Sequence, residues 1–171
     1  MKILVYGFSP YKNYSENITE RIIRKIRNRK DLTKIIFPVA FQKHIFLEKI
    51  RKNNPGVILG LGQHPRSKKM RIERKAVNLK RENKQEQAKI ISKNKPAHLF
   101  INVKLKKDNN SWISYDAGKY VCNFSMYVIS DFSKNKNIKF AFIHIPKDYS
   151  VNKAVKFVES KIDEMIKTPF S

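Results

Sequence analysis

Four short apolar runs, separated by helical spacing or turn chemistry, restrict the fold of this chain more than any other feature. They are "KILVY" (2–6), "KIIFPVAF" (34–41), "GVILGLG" (56–62) and "IKFAFIHIP" (138–146). Unbroken apolar runs this short read as buried strands. Between the first two, Ile18, Ile22, Ile23 and Ile26 fall on one helical face, with Ser15 as the expected N-cap. Between the second and third, Ile45, Phe46, Lys49 and Ile50 suggest a helix that closes before Pro55. Pro38 marks an edge, a bulge or a strand end. This β-α-β-α-β order predicts an α/β domain with helices packed on a largely parallel sheet.

Further along, "MRIERKAV" reads as another strand. Residues 79–95 are polar and read as a surface loop, partly helical or mobile. Leu99, Ile101, Val103 and Leu105 alternate with Phe100, Asn102 and Lys104, which predicts a strand. "KKDNNS" is turn chemistry and "WISY" a second strand, before a helix over about 119–132. Ser150 is positioned to cap a terminal helix whose apolar side carries Val151, Ala154, Val155, Val158, Ile162 and Ile166. No internal repeat is visible, and residues 1–171 read as one domain.

Composition narrows the class. The chain is 41% apolar and 30% charged, as ordinary globular domains are. No apolar run approaches the roughly 20 residues of a membrane span, and "MKILVYGFSP" lacks the pattern of a signal peptide. No membrane partner is expected. A lone cysteine cannot form an internal disulfide, which fits a cytoplasmic location. The 37 basic and 14 acidic residues give a net charge of +23, so non-specific attraction to nucleic acid is expected. The cations are scattered rather than blocked, as on solvated faces, and no zinc-ligand cluster, RNP-type aromatic motif or helix-turn-helix signature accompanies them.

The candidates for chemistry are few. Cys122 follows a glycine-containing turn and stands near the start of the helix over about 119–132. A lone cysteine is commonly a small core residue. At a helix start, however, unpaired N–H groups favour a thiolate and can hold an oxyanion. A thiol nucleophile needs a base. Of four histidines, His44 lies in a helix, His64 in a loop after Gln63, and His98 before a strand; His144 ends "FAFIHIP". In open α/β sheets the carboxyl ends of strands form the site edge. If the strands before and after the Cys122 helix are parallel neighbours, thiol and imidazole share that edge. An imidazole also needs an orienting acceptor, and Glu73, Asp116 and Asp148 all remain open.

Four stretches in order carry a resemblance: "ILVYGFSPY", "GLGQHPRSKKMRIERKAVN", "YDAGKYVCNFSMY" and "FAFIHIP". The chain resembles the pyroglutamyl peptidase I, or pyrrolidone carboxyl peptidase, family of cysteine peptidases, from about residue 2 to 147. Taken with the alternation of elements, this implies a three-layer α/β/α sandwich with a mostly parallel mixed sheet. The family's catalytic residues would fall on Glu73, Cys122 and His144. Its lactam pocket would fall on Phe8, on Tyr11 in place of a phenylalanine, on Gln63, and on the Tyr120–Val121 pair. The resemblance implies pyroglutamyl peptides as substrates, a homo-oligomer (dimer or tetramer), and no cofactor or metal.

Departures stand beside the matches. Lys12 and Asn13 replace a Gly-Gly pair, and Arg66, Ser67 and Lys68 replace Gly-Arg-Ser. The Ala-Arg-Ile-Pro-Asp core that follows Asn78 in the family is absent; Arg81 is the nearest arginine, in a different register. The chain is shorter than is usual for the family, with the shortfall around 79–111. A catalytically altered or inactive relative, and a basic nucleic-acid-binding protein, are therefore the competing expectations.

Overall fold

The computed structural model describes residues 1–11 and 14–169, so Lys12 and Asn13 lie outside the described residues. In chain order the elements are β1 (Ile3–Phe8), α1 (Ile18–Lys25), β2 (Leu32–Phe37), α2 (Lys43–Asn53), β3 (Val57–His64), β4 (Met70–Glu73) and β5 (Lys75–Val77). There follow β6 (Leu79–Lys80), β7 (Lys89–Ile90), β8 (His98–Phe100), β9 (Ser111–Ser114), α3 (Val121–Ser133), β10 (Lys139–Pro146) and α4 (Val151–Lys167).

The main sheet has the order β2-β1-β3-β10-β4-β9. Strands β2, β1, β3 and β10 are mutually parallel, β4 runs antiparallel to β10, and β9 follows β4 in parallel. The sheet is mostly parallel and mixed, as expected. Its central strands read as continuous apolar runs because both faces are covered: α1 and α4 pack together on one side, α2 and α3 on the other. Strand order reverses at β1, since β2 lies on one side of it and β3 on the other. Crevices for ligands form at such a reversal, beyond the carboxyl ends of the strands.

Tyr6 sits at the centre of the core with no exposed surface. Its ring meets Phe8, Phe37, Phe46 and Phe142 at 5.4–6.5 Å. Its hydroxyl lies 3.0 Å from Ser125 Oγ, and Ser125 donates in turn to the Cys122 carbonyl at 2.9 Å. The first turn of α3 is thereby tied to the middle of the sheet.

Several local expectations are corrected. The N-cap of α1 is Asn17, not Ser15: its side chain accepts from Thr19 N and Thr19 Oγ1 at 3.0 and 2.8 Å. "MRIERKAV" divides at Arg74 into β4 of the main sheet and β5 of a two-stranded sheet with β8, because the Arg74 guanidinium turns to the carbonyls of Val103 and Leu105. The strand expected over 99–105 is laddered only as β8. The alternation still governs burial, with Ile101, Val103 and Leu105 inside and Lys104 exposed. Residues 79–95 contain no helix. They form a short β6–β7 pair whose base is bolted by Asn78, which donates to the Ser92 carbonyl and accepts from its N–H at 2.8 and 2.9 Å. Finally, β9 and β10 are neither neighbours nor parallel, since β4 lies between them.

Losing an N-cap oxygen costs about 1–2 kcal/mol. Asn17→Ala should lower the unfolding free energy by that amount, read as a lower urea midpoint at an unchanged slope. An unchanged midpoint would show that the buried Asn17 network contributes nothing to α1.

Candidate active site

Three strands and one helix start deliver the side chains. His144 leaves β10 two residues before its end, opposite Gly62 of β3 and Arg71 of β4. Glu73 sits two residues after Arg71 on β4, so both point to the same face. Cys122 is the second residue of α3, whose N-cap Tyr120 supplies no side-chain cap, leaving first-turn amides available to a ligand.

The result is a row. Cys122 Sγ stands beside the His144 ring, both against Gly62, where its charge favours the imidazolium, and His144 Nδ1 lies 2.8 Å from Glu73 Oε1. Glu73 is fully buried and His144 nearly so, while Cys122 keeps 9% of its surface. The row thus runs from cavity to core. Thiol and imidazole meet although their flanking strands do not pair, because the helix itself carries Cys122 across to the ends of β3 and β10.

Gly62 makes the meeting fit. A Cβ there would lie 2.7 Å from Cys122 Sγ and 2.8 Å from His144 Cδ2. Such distances force a neighbour to move.

Two residues that sequence reasoning left outside the site join it. Arg71 Nε lies 3.3 Å from Glu73 Oε1, an ion-pair distance although the N–H is not aimed along a hydrogen bond. The same guanidinium reaches His64 Nε2 at 2.6 Å, donates to Ser114 Oγ at 2.7 Å and to the Asp116 carbonyl, and lies over the Trp112 ring. His64 Nδ1 accepts from the amides of Arg66 and Ser67 at 3.2 and 3.0 Å. The signal for Arg71 was its i, i+2 spacing from Glu73; His64 had no comparable sequence signal.

The two histidines separate electrostatically. Burial, then repulsion by His144 and Arg71, lowers His64 to about 4, so it is neutral near pH 7. Burial also opposes charge on His144. The charge and hydrogen bond of the Cys122 sulfur, then the hydrogen bond and charge of Glu73, outweigh it and raise His144 from 6.5 to about 9. His144 is thus an imidazolium beside sulfur at neutral pH.

The row opens into a cavity of about 490 Å³. Phe8, Tyr11, Gln63, Tyr120, Val121, Cys122 and His144 all line it; Glu73 stands behind His144. Tyr11 is paired with Tyr120, ring centroids 5.7 Å apart and side chains hydrogen-bonded, and Phe41 meets Tyr120 edge-on. Gln63 Oε1 accepts from Ile18 N at 2.9 Å, which fixes the orientation of its amide. Arg81 also lines the cavity, while Asp148 does not. The described residues hold no group of three or more His, Cys, Asp or Glu side chains suited to a metal. None of their helices is long and apolar enough to cross a membrane.

A three-layer α/β sandwich with thiol, imidazole and carboxylate in a row at the carboxyl edge of its sheet has the groups that cysteine-type hydrolases use. Comparison with known proteins narrows this. The family model described as pyroglutamyl peptidase matches residues 1–161, and the chain belongs to that family. A pyrrolidone-carboxylate peptidase of Thermosipho melanesiensis is 34% identical over 184 residues, covering 94% of this chain and 90% of the relative. One of Saccharolobus islandicus is 26% identical over 189 residues, 98% and 90% of the two chains. That alignment is longer than the 171-residue chain itself, so the relative carries insertions. Among solved structures, the pyrrolidone carboxyl peptidase of Thermococcus litoralis superposes with a TM-score of 0.86 at 21% identity, over 96% of this chain and 93% of that one. Pyroglutamyl peptidase I of Bacillus amyloliquefaciens gives 0.86 at 22%, over 98% and 95%.

Two outcomes follow from this geometry. Gly62→Ala should destabilise the fold by about 1–3 kcal/mol and slow alkylation of Cys122 by iodoacetamide about a hundredfold by parting sulfur from imidazole. Unchanged reactivity would refute the crowding. Because the folded-state value of His144 lies above 6.5, its stabilisation is complete below that pH and is lost as pH rises towards 9. The stability gap between the wild type and His144→Gln, from urea titrations, should therefore shrink by about 3 kcal/mol across that window. A gap that stays constant or widens would contradict a raised imidazole.

Proposed function

We propose that the protein removes an N-terminal pyroglutamyl residue from peptides. The observation that carries this reading is the Cys122–His144–Glu73 row at the inner end of a cavity lined by Phe8, Tyr11, Tyr120 and Val121.

The lactam ring is uncharged and flat, so an apolar pocket accepts it without the desolvation cost of a free ammonium. Its C=O and N–H need partners. Gln63 lines the cavity, and with its oxygen taken by Ile18 N its amide N–H groups are the ones left to donate to the lactam C=O. With the ring seated, the acyl carbon lies before the Cys122 sulfur. Sulfur adds to the carbonyl, and the developing oxyanion takes hydrogen bonds from amides of the first turn of α3. His144 gives its proton to the leaving amine as the C–N bond breaks, yielding a thioester and a shortened peptide. The neutral imidazole then takes a proton from water, whose oxygen attacks the thioester; pyroglutamate leaves and the sulfur recovers its proton partner. Glu73 keeps Nδ1 as a donor throughout and balances the charge whenever the ring is an imidazolium.

The test is hydrolysis of a chromogenic pyroglutamyl amide. Wild-type protein should turn it over. Cys122→Ala and His144→Ala should each lose at least about a thousandfold in kcat, and Glu73→Gln about a hundredfold, all with unchanged circular dichroism. Absence of wild-type turnover, with Cys122 still readily alkylated, would point instead to a relative with another substrate.

A further inference from the structure

The cavity changes character from floor to rim. Phe8 is buried and Val39, Tyr120 and Val121 are half-buried or buried, whereas Arg81, Lys84 and Lys119 are exposed at the edge. Under the peptidase reading above, on which this inference rests, the lactam occupies the floor and the rest of the peptide must leave across the rim. We propose that this rim selects peptides that carry a carboxylate on the residue following pyroglutamate.

The three cations are held together. Arg81 lies just beyond β6 and Lys84 in the β6–β7 turn. Arg81 N donates to the Lys119 carbonyl at 2.7 Å, joining that turn to the loop before α3. The Arg81 guanidinium also reaches the Lys84 carbonyl, at 3.5 Å. The base of the turn is fixed by Asn123, next to Cys122, whose amide donates to the carbonyls of Val77 and Leu79 at 2.9 and 2.8 Å and accepts from Val77 N at 2.8 Å. Lys80 lies 5.4 Å above the Phe41 ring and 5.6 Å above that of Phe124. The rim cations therefore ride on backbone anchored to the helix that carries the thiol.

Among the described residues, no acidic side chain pairs with Arg81, Lys84 or Lys119. Asp116 is the single acid among the described lining residues, and its Oδ1 already accepts from Gly118 N at 2.9 Å. Glu82 turns to Lys80 at 3.4 Å. Arg71, deeper in, is engaged by His64, Ser114 and Asp116. A carboxylate leaving the pocket thus meets three cations that no described acid neutralises, in a cleft whose apolar walls concentrate the field. A lysine in the same place meets repulsion.

The experiment compares kcat/KM for four dipeptides at low ionic strength: pyroglutamyl-Glu-amide, pyroglutamyl-Ala as free acid, pyroglutamyl-Ala-amide and pyroglutamyl-Lys-amide. At least one of the two carboxylates should raise kcat/KM about tenfold over the Ala amide, and Lys should lower it, with the spread closing in high salt. Whichever carboxylate acts more strongly identifies side chain or chain end as the group read. Joint replacement Arg81→Gln, Lys84→Gln, Lys119→Gln should collapse the spread. The control, Lys25→Gln, Lys30→Gln, Lys134→Gln, removes equal charge near the opposite, amino edge of the parallel strands and should preserve it. Equal turnover of all four substrates would overturn the rim assignment while leaving the peptidase reading intact. So would a control that collapses the spread as fully. Turnover of none would sink both.

Discussion

Everything in the site depends on one close approach: sulfur and imidazole meeting above a residue with no side chain. Gly62 lies opposite His144 in the sheet, and the space its missing Cβ would fill is occupied by Cys122 Sγ and His144 Cδ2. The approach is enforced from behind. Tyr6 grips Ser125, Ser125 grips the Cys122 carbonyl, and Asn123 clamps the chain at Val77 and Leu79. The helix start cannot drift without opening buried hydrogen bonds, which is costly in a low-dielectric core.

This placement also explains how one carboxylate can be wholly buried. Glu73 has no exposed surface, and an isolated charge there would be prohibitive. It lies instead between a guanidinium and an imidazolium, Arg71 on its own strand and His144 on the neighbouring one. The antiparallel insertion of β4 beside β10 is what makes that possible. It lets Arg71 stand opposite His144 while Glu73, one pleat on, faces the ring edge. The price of the arrangement is specificity of register: a one-residue slip of β4 would turn both charged side chains to the other face.

Much of this was legible in the sequence, for identifiable reasons. Buried parallel strands must be apolar on both faces, so β1, β3 and β10 announced themselves. The helix start at Cys122 was visible because a glycine turn precedes an apolar helical run. What composition could not choose was the acceptor for His144, since Glu73, Asp116 and Asp148 are equally acidic on paper; strand pairing separates them. The parallel-neighbour condition for bringing thiol and imidazole together failed, and the contact arises another way, through the helix rather than the strand before it. Propensity misjudged 79–95 because its anchors, Asn78 and Asn123, are polar residues that act through long-range backbone bonds. Such bonds leave no periodic trace.

The charge of the chain takes on structure in the same way. A net +23 spread over a surface is only a diffuse field. Acids are scarce, and the ones present are largely committed: Glu20 to Arg24, Asp31 and Asp163 to Arg29, Glu164 to Lys161. Most of these pairs lie on exposed helix and loop surfaces, where each contributes little to stability. Their effect is to neutralise cations there, while those at the cavity rim have no acidic partner among the described residues. The segment between β5 and β9 thus places a small cationic turn beside the thiol. The apolar floor of the cavity and its cationic rim therefore come from different parts of the chain: the floor from β1 and the start of α3, the rim from the β6–β7 turn and the loop before α3.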